Sequence, residues 1–165
     1  MTTARTILAS SVSFTVWGRA QQRGSKTPWI PRRKDGSPVE KNGRIVIATM
    51  DSNKKSGDWM RQVRDAAAEA MRGRETFAGP IKLCVHFWFS RPQSHFGAGK
   101  NAGKLKSSAP CYFVQSPDID KLVRCIADGM TGLVYRDDKQ ICDVYARKEW
   151  TTSQERAEIT VEIIT

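Results

Sequence analysis

The stretch that most constrains this chain is Ser116-Pro-Asp-Ile-Asp-Lys-Leu-Val-Arg-Cys-Ile-Ala-Asp-Gly-Met-Thr-Gly-Leu-Val-Tyr-Arg-Asp-Asp138. Ile119, Leu122, Val123, Ile126, Ala127 and Met130 recur at helical spacing and give one continuous apolar face. Ser116 is a candidate cap and Pro117 suits a first helical position, where its missing N–H is not needed. Gly132 is placed to stop the helix. Asp120, Arg124 and Asp128 follow one another at four-residue steps along a polar stripe. After Leu133-Val-Tyr135 the chain delivers a second acidic pair, Asp137-Asp138, which a short return could bring to the end that carries Asp118 and Asp120.

Crowded carboxylates raise one another's pKa unless a cation neutralises them. Magnesium suits such a site, since it is hard, takes oxygen ligands and is commonly held by a few carboxylates plus water and substrate phosphate. The plainer alternative is that Asp118 and Asp120 only complement the helix dipole and that Asp137-Asp138 is a turn. The full pattern is narrower than either part: Asp-x-Asp at a helix start, a base one turn on, and Asp-Asp after an aromatic.

These residues resemble the signature of the RusA-type Holliday-junction resolvases, small dimeric magnesium-dependent endonucleases of bacteria and their phages. The likeness rests on Asp118-Ile-Asp-Lys-Leu122, on Asp128, and on Leu133-Val-Tyr-Arg-Asp-Asp-Lys-Gln-Ile141, and it is specific over roughly residues 116–148. It implies that Asp118, Asp120 and Asp138 bind the metal, that the chain is a homodimer, and that it works in the cytoplasm of a bacterium or is phage-encoded. Two positions depart from the family pattern. Lys121 stands where Asn is usual, and Arg124 stands where the best-known members carry a catalytic Lys. Arginine keeps the charge but cannot give up a proton, so Arg124 can stabilise a phosphorane-like transition state without serving as an acid.

The charge distribution points to the same kind of partner. The formal net charge is +10, and residues 1–116 hold 20 Lys+Arg against 7 Asp+Glu, whereas residues 117–165 hold 7 against 10. A basic body beside an acidic site can grip phosphate with one part and cut with the other. Two basic segments stand out. Residues 19–44 carry eight Lys/Arg against Asp35 and Glu40, with Trp29 among them, either to stack on a base or to pack on the core. Residues 91–116 contain no acid and run through Gly97, Gly99 and Gly103, reading as a flexible basic arm that empties into Asp118. Arg23, Arg32, Arg33, Lys34, Lys100, Lys104, Lys106 and Lys121 are the expected DNA contacts.

The remaining elements follow from periodicity. Val12–Trp17, Arg44–Thr49, Ile81–Phe89, Gln140–Trp150 and Ala157–Ile164 read as strands, the last two lying antiparallel in the sheet. Asp51 or Ser52 is placed to cap a helix running to about Arg72. The expected fold is a single α+β domain over residues 1–165, with a mixed, largely antiparallel sheet of four or five strands and two main helices on one face. His86 lies mid-strand and reads as a hydrogen-bonded structural residue. Cys84, Cys111, Cys125 and Cys142 lack metal-site spacing, which argues against zinc; they read as reduced and mostly buried, as in a cytosolic protein. The short run Ile7-Leu-Ala9 ends at Ser10-Ser11 and makes no convincing signal peptide, and no apolar run is long enough to span a bilayer.

The expected activity is therefore magnesium-dependent, structure-selective cleavage of four-way DNA junctions, with Asp118, Asp120, Asp138 and Arg124 as the catalytic set. Two alternatives stay open: a non-catalytic DNA-binding module, and an aspartyl-phosphate phosphatase. The phosphatase needs a strand before Asp118 and a Thr where Leu122 stands, so its match fails at both.

Overall fold

The computed structural model describes residues 11–164, so the run at residues 7–9 lies outside the described residues. Four strands form the main sheet: β1 (Ser11–Trp17), β6 (Ile81–Ser90), β7 (Ile141–Thr151) and β8 (Arg156–Ile163), in the order β1-β8-β6-β7. β8 is antiparallel to both β1 and β6, while β6 and β7 are parallel. The sheet is thus mixed and largely antiparallel, and the fold is α+β.

The two terminal strands run in opposite directions as their alternation suggested, yet they are not neighbours, because β6 lies between them. The short connection after Thr151 crosses the end of β6, where the Ser90 N–H donates to Glu155 at 3.1 Å and the Arg91 N–H to the Thr151 carbonyl at 3.2 Å.

Strand β6 organises the interior. Ile81, Leu83, Val85, Phe87 and Phe89 are all buried, whereas the alternating Lys82, Cys84, His86 and Trp88 are half-buried on the opposite face. A fully buried side chain of this size contributes on the order of 1.5–3 kcal/mol. Helices α1 (Ser56–Ala70) and α2 (Ile119–Met130) pack against each other and carry the rest of the core, through Trp59, Val63 and Ala67 on one and Leu122, Cys125, Ile126 and Met130 on the other. A Cβ on Gly129 would meet Val63 Cγ1 at 3.1 Å and the Met60 carbonyl oxygen at 3.2 Å, so glycine permits the close crossing of the helices.

Both helices begin later than their sequence signals suggest. Helix α1 starts at Ser56, and Asp51 instead ends β5 (Ala48–Asp51). Helix α2 has Asp118 at its N-cap, which leaves Ser116 and Pro117 outside it, joined by a cis peptide bond. At the other end Gly132 takes φ +75° just past the last turn, as expected of a helix stop.

The basic segment 19–44 is not a plain loop. β2 (Lys26–Trp29) pairs with β5, and β3 (Glu40–Lys41) pairs with β4 (Arg44–Ile45). The strand expected over 44–49 is thereby split between two small sheets. Asn42 (φ 53°) and Gly43 (φ 70°) close the β3–β4 hairpin, and a two-residue turn with both central residues at positive φ matches the twist of the strands it joins.

Of the cysteines, Cys125 is buried, Cys84 half-buried, and Cys111 and Cys142 exposed. All four are free thiols, and the expectation of mostly buried positions is corrected. Burial pushes the Cys125 thiol up to about 12, against the smaller effect of Arg23. His86 bonds Glu149 at 2.7 Å and stacks on Trp88, as a structural strand histidine should. Among the described residues no helix is long and apolar enough to cross a membrane.

Candidate active-site groove and nucleic-acid interface

Helix α2 turns Leu122, Cys125, Ile126, Ala127, Gly129 and Met130 inward against α1 and the sheet and leaves its polar stripe toward solvent. Arg124 is exposed on that stripe, one turn after Asp120 and one turn before Asp128. An open groove runs beside it, lined by Arg23, Lys26, Met60, Arg124, Asp128, Thr131, Asp137 and Asp138.

The acidic pair reaches this groove by way of Tyr135. That side chain is fully buried and its hydroxyl donates to the Ala127 carbonyl at 2.9 Å, which folds the return back along the helix. Burial raises the Tyr135 hydroxyl, and Asp138 and Asp128 raise it further, which places both carboxylates near it. The Asp137 side chain accepts from the Lys139 N–H at 3.0 Å, and Gln140 completes the reciprocal cap. Asp137 is thus occupied in forming the turn, and Asp138 is the exposed member of the pair.

The return therefore meets α2 at its far end. Asp138 joins Asp128, not Asp118, and at 1.5 Å per residue Asp118 and Asp128 are separated by roughly 15 Å of helix. Asp118 is exposed and sits 2.7 Å from the Lys121 ammonium. The hydrogen bond and charge of Lys121 hold the Asp118 carboxyl below its ordinary range, and the same contact raises Lys121. Arg124 is the shared neighbour of the two ends: it follows Asp120 by one turn and lines one groove with Asp138.

Among the described residues no group of three or more His, Cys, Asp or Glu side chains converges as a ready-made metal cage. Of the groove's acids Asp137 caps the turn and Asp128 pairs with Arg23, so Asp138 is the oxygen donor that the groove offers a hard cation, which commonly takes one or two carboxylates and completes its shell with water and substrate phosphate.

Three of the expected DNA contacts are engaged within the fold. Arg23, about a quarter exposed, is 3.2 Å from Asp51 and 2.9 Å from Asp128. Asp128 accordingly pairs with Arg23, and among the described residues it makes no ion pair with Arg124 one turn before it. The Lys106 ammonium donates to the Ser94 carbonyl at 3.0 Å. Lys121, as described, is held by Asp118.

The others lie outward. Arg33 and Lys34 are exposed at the tip of the turn spanning residues 31–38, where Arg32 donates to the Gly36 carbonyl at 2.8 Å. Trp29 is exposed on β2, so it does not pack on the core. Lys100 and Lys104 are exposed on the long loop.

That loop is tied down at several points, against the expectation of a flexible arm. His95 and Phe113 pack on Trp150, whose indole N–H donates to the Tyr112 carbonyl at 3.1 Å. Arg91 donates to the Pro110 carbonyl at 2.9 Å. Lys148 donates to the carbonyls of Gln115 at 2.9 Å and Pro117 at 2.7 Å, directly before Asp118. Burial lowers the Lys148 ammonium, opposed by Asp118.

Lys41 and Arg44, which belong to the basic segment but not to the expected contacts, flank the hairpin turn and are exposed; Asn42-Gly43 is the sequence signal for that hairpin. Sequence reading missed Asp51 as a junction of three elements. Burial works against ionisation of Asp51, but hydrogen bonds from the Asn53 N–H, the Ser56 hydroxyl and the Gly24 N–H, with the Arg23 charge, outweigh it and hold the carboxyl below its ordinary range.

With this geometry in place, the comparisons with known proteins define the class. The family model described as Endodeoxyribonuclease RusA matches residues 28–162, and the chain belongs to that family. Family membership implies endodeoxyribonuclease activity. The chain is also similar to the uncharacterized protein YqaN of Bacillus subtilis (strain 168), being 24% identical over 153 residues that cover 91% of this chain and 94% of that protein.

Proposed function

We propose that the protein is a magnesium-dependent, structure-selective endonuclease that cuts four-way DNA junctions as a homodimer. The observation that carries this reading is the family match over residues 28–162 joined to the groove that Arg124 and Asp138 both line. Asp120, one turn before Arg124, and Asp138, which lines the groove with it, would hold the metal; Asp118, paired with Lys121 at the start of α2, is assigned to it by the family resemblance alone.

Bound magnesium supplies polarisation of the scissile phosphodiester and a water acidic enough to attack it. Arg124 binds the non-bridging oxygens, where negative charge grows in the transition state. Lys34, Arg33, Lys100 and Lys104 grip the flanking backbone without reading sequence. A two-fold assembly suits a substrate with two equivalent strands to cut. The deciding experiment is incubation with a synthetic four-way junction and with its linear arms, with and without magnesium. Metal-dependent cleavage of the junction in preference to the arms is expected, with light scattering giving a species of twice the 18.5 kDa chain mass.

A second reading is favoured by one observation. The absence of a preformed three-carboxylate cage among the described residues suits a DNA-binding module that does not cut. Junction binding without cleavage at any magnesium concentration would establish it. The phosphatase alternative loses its ground, because the described chain from 106 to 118 contains no strand to carry the nucleophile.

A further inference from the structure

Residues Gln22-Arg-Gly24 form a strap across the polar side of α2. The Arg23 N–H donates to the Lys121 carbonyl at 3.1 Å, and the Gln22 side chain accepts from the Asp118 N–H. The Asn53 side chain donates to the Gln22 carbonyl at 2.8 Å, and the Gly24 N–H donates to Asp51 at 2.8 Å. The guanidinium of Arg23 then spans two carboxylates, with Nη1 3.2 Å from Asp51 and Nε 2.9 Å from Asp128. A planar fork can do this, whereas a lysine ammonium is a single point charge.

The consequence falls on Arg124. It stands four residues before Asp128, a spacing at which opposite charges on a helix are neighbours and pair. It nevertheless makes no ion pair among the described residues, although both side chains line one groove. The partner that Asp128 has taken is Arg23, supplied from another part of the chain.

We propose that Arg23 is a positioning residue that occupies Asp128 and Asp51, so that the neighbouring Arg124 guanidinium stays unpaired and available to DNA phosphate. The proposal rests on the reading above that Arg124 meets phosphate. Without Arg23, Asp128 captures Arg124, and the guanidinium no longer reaches phosphate although Arg124 itself is intact.

The test is junction binding measured in chelator, so that cutting plays no part, over a range of salt concentrations. R124Q should lower the log–log salt slope by roughly one unit, the value for one phosphate neutralised. R23Q should lower it by a similar amount, and adding D128N to R23Q should restore it, because the acid that Arg23 releases is then no longer there to capture Arg124. A purely structural role for Arg23 predicts no such rescue. In the parent background, where Arg23 is present, R124Q and D128N should act additively on affinity, whereas in the R23Q background they should be coupled.

The proposal is overturned if R23Q folds and keeps the parent slope, if D128N does not restore it, or if Arg124 and Asp128 are already coupled with Arg23 in place. Should R23Q fail to melt cooperatively, the R124Q/D128N cycle in the parent background decides by itself. An R124Q variant with an unchanged slope refutes the phosphate contact instead, and a parent protein that binds junctions but never cuts with magnesium refutes only the nuclease reading.

Discussion

The Lys121 ammonium sits 2.7 Å from the Asp118 carboxylate, one turn apart at the start of α2. It occupies the position where the family pattern usually places Asn, so this chain carries its own cation against one of its expected metal-binding acids. The pair is solvent-exposed, and such pairs add little to stability. The lowered Asp118 contributes what it does above the ordinary carboxylate range and loses it only as pH falls through its folded value.

K121N should therefore leave melting near neutral pH almost unchanged while removing a competitor of the metal. The expected result is half-maximal cleavage at a lower magnesium concentration, with tighter magnesium binding by calorimetry in the absence of DNA. A higher magnesium requirement would assign Lys121 to holding the substrate, not to screening Asp118.

Asp120→Asn should separate binding from cutting. The change keeps size and removes one negative charge from the exposed stripe of α2 proposed to meet phosphate. Single-turnover cleavage should fall by orders of magnitude while junction affinity holds or rises. If Asp120 only complements the helix N-terminus, it is worth about 0.3–1 kcal/mol, and the variant would melt slightly lower and cut normally. The melting curve is read first, so that lost activity is not confused with lost folding.

Replacing Arg32, Arg33 and Lys34 together by Ala should flatten the salt dependence of junction binding by roughly one unit for each phosphate that the variant no longer neutralises. Arg32 already donates to the Gly36 carbonyl, so most of the change should come from Arg33 and Lys34. The measurement is a binding titration across salt concentration for the triple variant and for each single one. An unchanged slope would move the backbone contacts to Lys100 and Lys104 or to the hairpin bearing Lys41 and Arg44.

Gly24→Ala tests the strap by shape alone. A Cβ there would lie 2.3 Å from Asp51 Oδ1 and 2.4 Å from the Asn53 nitrogen, far inside contact distance, and one of those atoms is backbone. Small-to-large changes in packed sites typically cost about 1–3 kcal/mol, so a clear fall in melting temperature is expected. Cleavage measured well below that temperature should fall as well, since the displaced strap carries Arg23 away from Asp128. A variant that melts and cuts like the parent would show that the segment can shift without effect on α2.

What the sequence determined by itself is local. The apolar spacing of 119–130 dictated a helix with an exposed stripe of Asp120, Arg124 and Asp128, because a 3.6-residue period leaves those positions no other face. The residues Ile81–Phe89 likewise dictated a strand. The Asp-x-Asp and Asp-Asp pairs pointed to the family that the comparison with known proteins then identified.

What only the tertiary structure decided is which charges meet. Asp137-Asp138 and Asp118 are close in sequence, yet buried Tyr135 docks the return beside the C-terminal turns of α2, and Asp138 arrives next to Asp128. Arg23 and Asp128 are more than a hundred residues apart, and Asp51 lies between them in the chain, so no local period links the three. They come together because β5, the strap and α2 share one side of the molecule. An ion pair is set by distance and desolvation in space, neither of which a one-dimensional pattern contains.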